Sequence, residues 1–208
     1  MFNRTENFKQ YIKLYPVVSS LLALNIAIHI LTLVPILGSQ IFSFGVHFNL
    51  LISEGEYWRL LTPIFLHANF AHLLFNMFSL YIFGPELEQL AGKARFLTIY
   101  ILAGLVGNIA TYLLQDWDYT SVGASGAIYG IFGAFGALVY YTRNFMPQLK
   151  QIIIPIIVIG IIMTFLQPQI NVTAHIAGLV TGFILGMFYF HPRRIAVWKK
   201  RKRKLKSV

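Results

Sequence analysis

The chain has no cysteine, and only 12% of its 208 residues are charged. Without thiols there is no disulfide, no thiolate nucleophile and no cysteine-ligated zinc or iron–sulfur centre. Acids are scarcer still: seven Asp and Glu stand against 17 Lys and Arg, giving a formal net charge of +10. A soluble domain carries about 25% charged residues. Half that share, beside 57% hydrophobic residues, excludes an ordinary soluble fold.

What the chain has instead is apolar length. Six segments can be drawn, at residues 15–34, 70–89, 96–114, 122–141, 152–166 and 172–190. Lipid offers no partner to backbone N–H and C=O groups, so each segment must satisfy its own as a helix. About 20 residues cross the hydrocarbon. Most segments fit that length, while the fifth, with 15 residues, is short. The first run is too long for the core of a cleaved signal and lacks a small-x-small site, so it reads as a retained span. Pro16 suits the first turn of the first helix, where its missing N–H is not needed. Pro63 bars an earlier start to the second helix, and Asn69 is its expected cap. The expected fold class is an all-α membrane protein with six transmembrane helices. Residues 15–190 form the core, with an outer connection at 35–69. Residues 1–14 and the basic tail 191–208 flank it.

Orientation follows from the basic residues. Arg4, Lys9 and Lys13 precede the first segment, Lys93 and Arg95 lie between the second and third, and Arg143 and Lys150 between the fourth and fifth. Nine more occupy the tail from Arg193 to Lys206. Sixteen of the 17 basic residues thus fall on one side, and Arg59 alone on the other. The positive-inside rule places both termini in the cytoplasm. Trp58, Trp117 and Tyr119 then fall where an outer aromatic belt is expected. The tail is read as a cytoplasmic stop signal touching anionic lipid, worth about 1 kcal/mol per basic residue near the surface, and not as a nucleic-acid site. A compact chain without a targeting extension fits a bacterial plasma membrane.

In this topology the second, fourth and sixth segments all begin on the outer side. His72 and Asn76 lie in the first two turns of the second, Ser125 opens the fourth and His175 opens the sixth. Polar side chains at membrane depth are costly unless paired, and they mark functional sites by default. Four of them at one level suggest a serine nucleophile, Ser125, and its base, His175. His72 and Asn76, four residues apart, share a helix face. With the free backbone N–H groups at the start of the Ser125 helix, they would suit the oxygen of a tetrahedral intermediate. None of the seven acids lies at that level, so a Ser–His dyad is expected, with Tyr129 one turn below Ser125 packing against the imidazole. Gly126, Gly130 and Ala134 in the fourth segment, and Gly178, Gly182 and Gly186 in the sixth, repeat at intervals of four. Small residues so spaced let helix backbones approach closely in lipid.

These residues resemble the rhomboid intramembrane serine proteases. The likeness lies in Trp58-Arg59, in the run from His67 through His72 to Asn76, and in Gly84-Pro-Glu-Leu-Glu88. It continues through Gly123-Ala-Ser125-Gly126 with Tyr129, and His175-Ile-Ala-Gly178 with Gly182. They cover residues 57–186 in the family's order. The resemblance implies a rhomboid-like bundle with Ser125 as nucleophile and His175 as general base. It implies an oxyanion hole of Asn76, His72 and the Ser125 backbone N–H, with Gly123 beside it. His67 would keep water near the site, Trp58 and Arg59 would anchor the outer loop, and Glu88 would cap a structural network. No cofactor or metal is implied. The partners would be single-span membrane proteins, cut near the outer ends of their helices, and the bilayer itself. Oligomeric state is not legible.

The fifth segment, with Pro155 and Gly160 inside it, is expected to pack loosely. With the 167–173 loop it would move to admit substrate between the second and fifth helices. Two other readings use the same residues. One is a rhomboid-like binding or quality-control protein without activity. The other is a membrane protein in which His72 and His175 ligate a haem or relay protons with Asn76.

Overall fold

The computed structural model describes residues 5–144, 147–166 and 170–192. The basic tail from Arg193, Arg4 and the first part of the 167–173 loop lie outside the described residues. The order of elements is α1 (Phe8–Leu14), α2 (Pro16–Thr32), α3 (Leu37–Gly45), β1 (His47–Phe48) and α4 (Asn49–Ser53). Two 3-10 turns follow (Tyr57–Leu60 and Thr62–Phe65), then α5 (Phe70–Ala91), α6 (Lys93–Leu114), β2 (Thr120–Ser121), α7 (Ser125–Thr142), α8 (Pro147–Leu166) and α9 (Val172–Tyr189). The protein is an all-α membrane protein apart from the two-residue antiparallel pair β1–β2, which sets His47 opposite Ser121.

Local chemistry explains the helix ends. Pro16 occupies the first turn of α2. The Asn69 side chain accepts from the His72 N–H at 2.9 Å and starts α5. Gly92, at φ +87°, turns the chain from α5 into α6, a conformation that disfavours any residue with a Cβ. The Glu88 carboxylate, buried in α5, accepts from the N–H groups of Val17 and Val18 at 3.1 and 2.9 Å. It therefore neutralises the positive end of α2 and ties the two helices together.

α7 is the axis of the bundle, with 13 of its 18 residues buried. Its closest neighbour is α9, and α6, α8 and α5 complete the surround. Large apolar side chains face outward around the bundle, among them Phe75, Phe78, Leu113, Phe165 and Ile184. A surface of that kind belongs against lipid. Among the described residues α6, α8 and α9 are long and apolar enough to cross a membrane, and α1 with α2, bent by 111°, makes a fourth if taken as one span. α5 and α7 fall short of that measure because α5 carries His72, Asn76 and Glu86, and α7 is rich in glycine.

Two sequence expectations change. The fifth segment is not short: α8 has 20 residues and begins at Pro147, so Lys150 sits in its first turn instead of in a loop. The fourth helix begins at Ser125, three residues later than drawn. The outer connection folds into α3, β1, α4 and the two 3-10 turns.

Candidate active site

Ser125 is the first residue of α7 and is half-buried, so its hydroxyl stands at a helix end whose N–H groups point outward. The turn before it is fixed by Gly123. Its N–H donates to the carbonyl of Pro63 at 2.9 Å, and its φ is +132°. A Cβ there would lie 2.7 Å from the His72 ring and 3.7 Å from Ser125 Oγ. His72 and the serine hydroxyl therefore both flank the bare Cα of Gly123. The structure brings these three sequence-predicted residues together.

His175, in the first turn of α9, is buried and stacks on Tyr129 with ring centroids 4.0 Å apart and 20° between planes. The packing expected of Tyr129 is thus present. Asn171 caps α9, accepting from the Ala174 N–H at 2.9 Å and donating to Thr111 Oγ1 and Ser121 Oγ at 2.9 and 3.1 Å. These bonds lock the start of α9 to α6 and to the segment leading into α7. Below the two candidate residues the helices touch backbone to backbone. A Cβ on Gly178 would overlap the Gly126 carbonyl oxygen, and one on Gly182 would overlap that of Gly130. Gly126 follows Ser125, and Gly178 lies one turn after His175. The glycine contact therefore holds the two helix starts side by side.

Not every predicted residue points into this space. The Asn76 amide donates to the His72 carbonyl at 2.8 Å, so one of its N–H groups serves its own helix. The hydrogen bond of the His175 ring joins Nδ1 to Thr164 Oγ1, 2.9 Å away on α8, and not to Ser125. Thr164 was not singled out from the sequence, because one threonine in an apolar run carries no signal. Asn171 was missed as well, although an Asn just before an apolar segment is a cap signal.

The outer connection supports the site. Arg59 is buried, donating from Nε to Glu56 Oε2 at 2.6 Å and from Nη1 to the carbonyls of Ser43 and Val46 at 2.7 and 2.9 Å. Trp58 stacks on Phe44 and donates to its carbonyl at 3.1 Å. Together they fasten the C-terminal end of α3 over the 3-10 turn. His67 lies edge-on to His72, with centroids 5.2 Å apart. It is almost fully buried, and neither of its ring nitrogens has a protein partner. Burial, helped by His72 and His29 nearby, holds its pKa down to about 3, so the ring is neutral. His47, in β1, is also pushed below its usual value by burial, against the opposing bond to Asn49. Among the described residues no cluster of three or more His, Asp or Glu side chains could hold a metal ion.

A polar site of serine, histidines and helix-end N–H groups, set in a bundle with an apolar exterior, defines a multi-pass membrane protein with hydrolase-like equipment. Residues 54–192 match the Rhomboid domain. The chain is 42% identical over 205 residues to YdcA of Bacillus subtilis (strain 168), covering 98% of this chain and all of that protein. It is 41% identical over 162 residues to Rhomboid protease GluP of the same organism, covering 76% of this chain and 31% of GluP. It is 39% identical over 141 residues to RHOMBOID-like protein 5 of Arabidopsis thaliana, 65% of this chain and 45% of that one. The chain belongs to the rhomboid family, a family of intramembrane proteases.

Proposed function

We propose that the chain is a serine endopeptidase that hydrolyses a peptide bond in or near the outer end of single-span membrane proteins. The observation that carries this reading is the backbone contact of Gly126 with Gly178, which sets the helix starts of Ser125 and His175 together beside His72. In the reaction, Ser125 Oγ attacks the scissile carbonyl carbon while His175 Nε2 takes its proton. The oxygen of the tetrahedral intermediate is received by the Ser125 backbone N–H, by His72, and by the second N–H of the Asn76 amide. Removing one such donor costs about 100- to 1000-fold in rate. His175 returns the proton to the leaving amine, and the C–N bond breaks. Water, activated by the same imidazole, then cleaves the acyl-enzyme ester and frees Ser125. The bond from Ser125 to His175 forms as substrate binds, since catalytic hydrogen bonds often tighten only in the complex.

The long helices α2, α5, α6, α7, α8 and α9 are the six spans, with both termini in the cytoplasm and the site opening to the other side of the plasma membrane. This follows from the distribution of the basic residues. Substrate reaches the site between α5 and α8. The sparse burial of α8, with Leu149, Ile153 and Thr164 fully buried and Ile156 and Ile157 partly so, supports α8 as the moving element. A disulfide engineered between α5 and α8 should block cleavage of a membrane substrate, and undiminished cleavage would exclude that route. The function itself is tested by reconstituting the protein with a single-span substrate. Wild type should cleave it, while Ser125→Ala and His175→Ala should remain folded and inactive. Cleavage by either variant would refute the assignment.

A further inference from the structure

Thr164 stands at the junction of three helices. Its hydroxyl lies 2.9 Å from His175 Nδ1 on α9, 2.6 Å from the Tyr129 hydroxyl on α7, and 2.9 Å from the Gly160 carbonyl one turn back on α8. The Tyr129 hydroxyl is in turn 2.5 Å from that same carbonyl. Three oxygens are thus crowded together, and only the two hydroxyl protons can separate them. If Thr164 gave its proton to the imidazole, one proton would remain for three mutually repelling oxygens. The economical arrangement keeps both protons among the oxygens and leaves a Thr164 lone pair to accept from Nδ1–H. That choice fixes the tautomer of His175, leaving Nε2 unprotonated on the other side of the ring.

The position of Thr164 along α8 adds a second consequence. α8 buries Leu149 and Ile153 in its first two turns and, beyond them, Thr164 alone. Ile156 and Ile157 pack partly buried against the core, and beyond them the end of α8 nearest the candidate site is tied to α7 and α9 by the hydrogen bonds of Thr164 and Tyr129. We propose that Thr164 is the positioning residue of His175 and that it makes the alignment of the base depend on α8 lying closed against α7 and α9. When α8 swings aside, His175 loses the acceptor that orders it. When α8 returns over a bound substrate, the base is re-aligned. The inference rests on the reading of Ser125 and His175 as a dyad.

The test uses the full chain in liposomes with a single-span substrate, and labelling of Ser125 by a small fluorophosphonate that needs no lateral opening. Rates are taken per folded molecule. Thr164→Val keeps shape and removes the hydroxyl, while Thr164→Ser keeps the hydroxyl and removes the methyl. Losing a hydrogen bond to a group that becomes charged should lower kcat by about 10- to 100-fold. KM should be little changed, labelling should slow in proportion, and Thr164→Ser should recover most of the rate. Wild-type kcat and labelling in Thr164→Val, or a Thr164→Ser as impaired as Thr164→Val, would overturn the proposal. Cleavage by Ser125→Ala or His175→Ala would instead remove the dyad reading beneath it.

Discussion

Gly178→Ala puts the geometry of the site under the most direct mechanical stress. The added Cβ would overlap the carbonyl oxygen of Gly126 and stand 3.0 Å from its carbonyl carbon and 3.3 Å from its Cα. Non-bonded carbons rest at about 3.5–4.0 Å, so the carbon contacts alone require the helices to part locally by at least about 0.5–1 Å. Neither side can yield by rotating a side chain, because the obstructing atoms are backbone. His175 lies three residues before Gly178, and Ser125 directly precedes Gly126, so the parting opens the gap between base and nucleophile. A misplacement of about 1 Å can cost about 100-fold in rate, and overpacking costs about 1–3 kcal/mol of stability. Cleavage of a reconstituted single-span substrate should therefore show kcat reduced about 100-fold, with a lowered unfolding midpoint in detergent. Gly136→Ala, also in α7, is the control. Its Cβ would meet Phe183 and Ile157 side-chain carbons at 3.5 and 3.6 Å, ordinary contact, and its rate should match wild type. If Gly178→Ala kept wild-type kcat, the glycine contact would not be what aligns the two residues.

Two further perturbations probe the supports of the site. Arg59→Ala removes the donors to Ser43 and Val46 and leaves Glu56 without its cation. It should cost about 3 kcal/mol of stability, read as a lower unfolding midpoint, with Arg59→Lys intermediate because an ammonium lacks the fork. A midpoint unchanged in Arg59→Ala would show that the outer connection holds without it. His67 is depressed to about 3 when folded against an ordinary 6.5. Its contribution is whole above pH 6.5 and is lost as pH falls, because the unfolded chain then binds a proton that the folded chain refuses. By pH 5 that amounts to about 2 kcal/mol. His67→Phe should flatten the acid side of the stability profile, and an unchanged profile would place the acid sensitivity elsewhere.

Much of this arrangement was legible because chemistry leaves marks at fixed spacing. Asn69 ahead of an apolar run announced the start of α5, and the four-residue glycine intervals announced the contact of α7 with α9. Tyr129 was placed against His175 because one turn separates it from Ser125. Other features left no such mark. α8 was drawn from residue 152 because Lys150 reads as a loop residue, whereas a helix can begin at Pro147 and carry its lysine in the first turn. The pieces of the outer connection are two to nine residues long, too short for a hydrophobic period to show. Thr164 was invisible because its role depends on the three helices that meet there and not on its neighbours in sequence.

The central claim is that Ser125 becomes a nucleophile through His175, and fluorophosphonate labelling followed by peptide mapping measures that directly. The account expects the phosphonyl group on Ser125 in the wild-type protein and no labelling of Ser125 once His175 is replaced by Ala. Label on a different residue, or equal labelling of Ser125 without the imidazole, would contradict it.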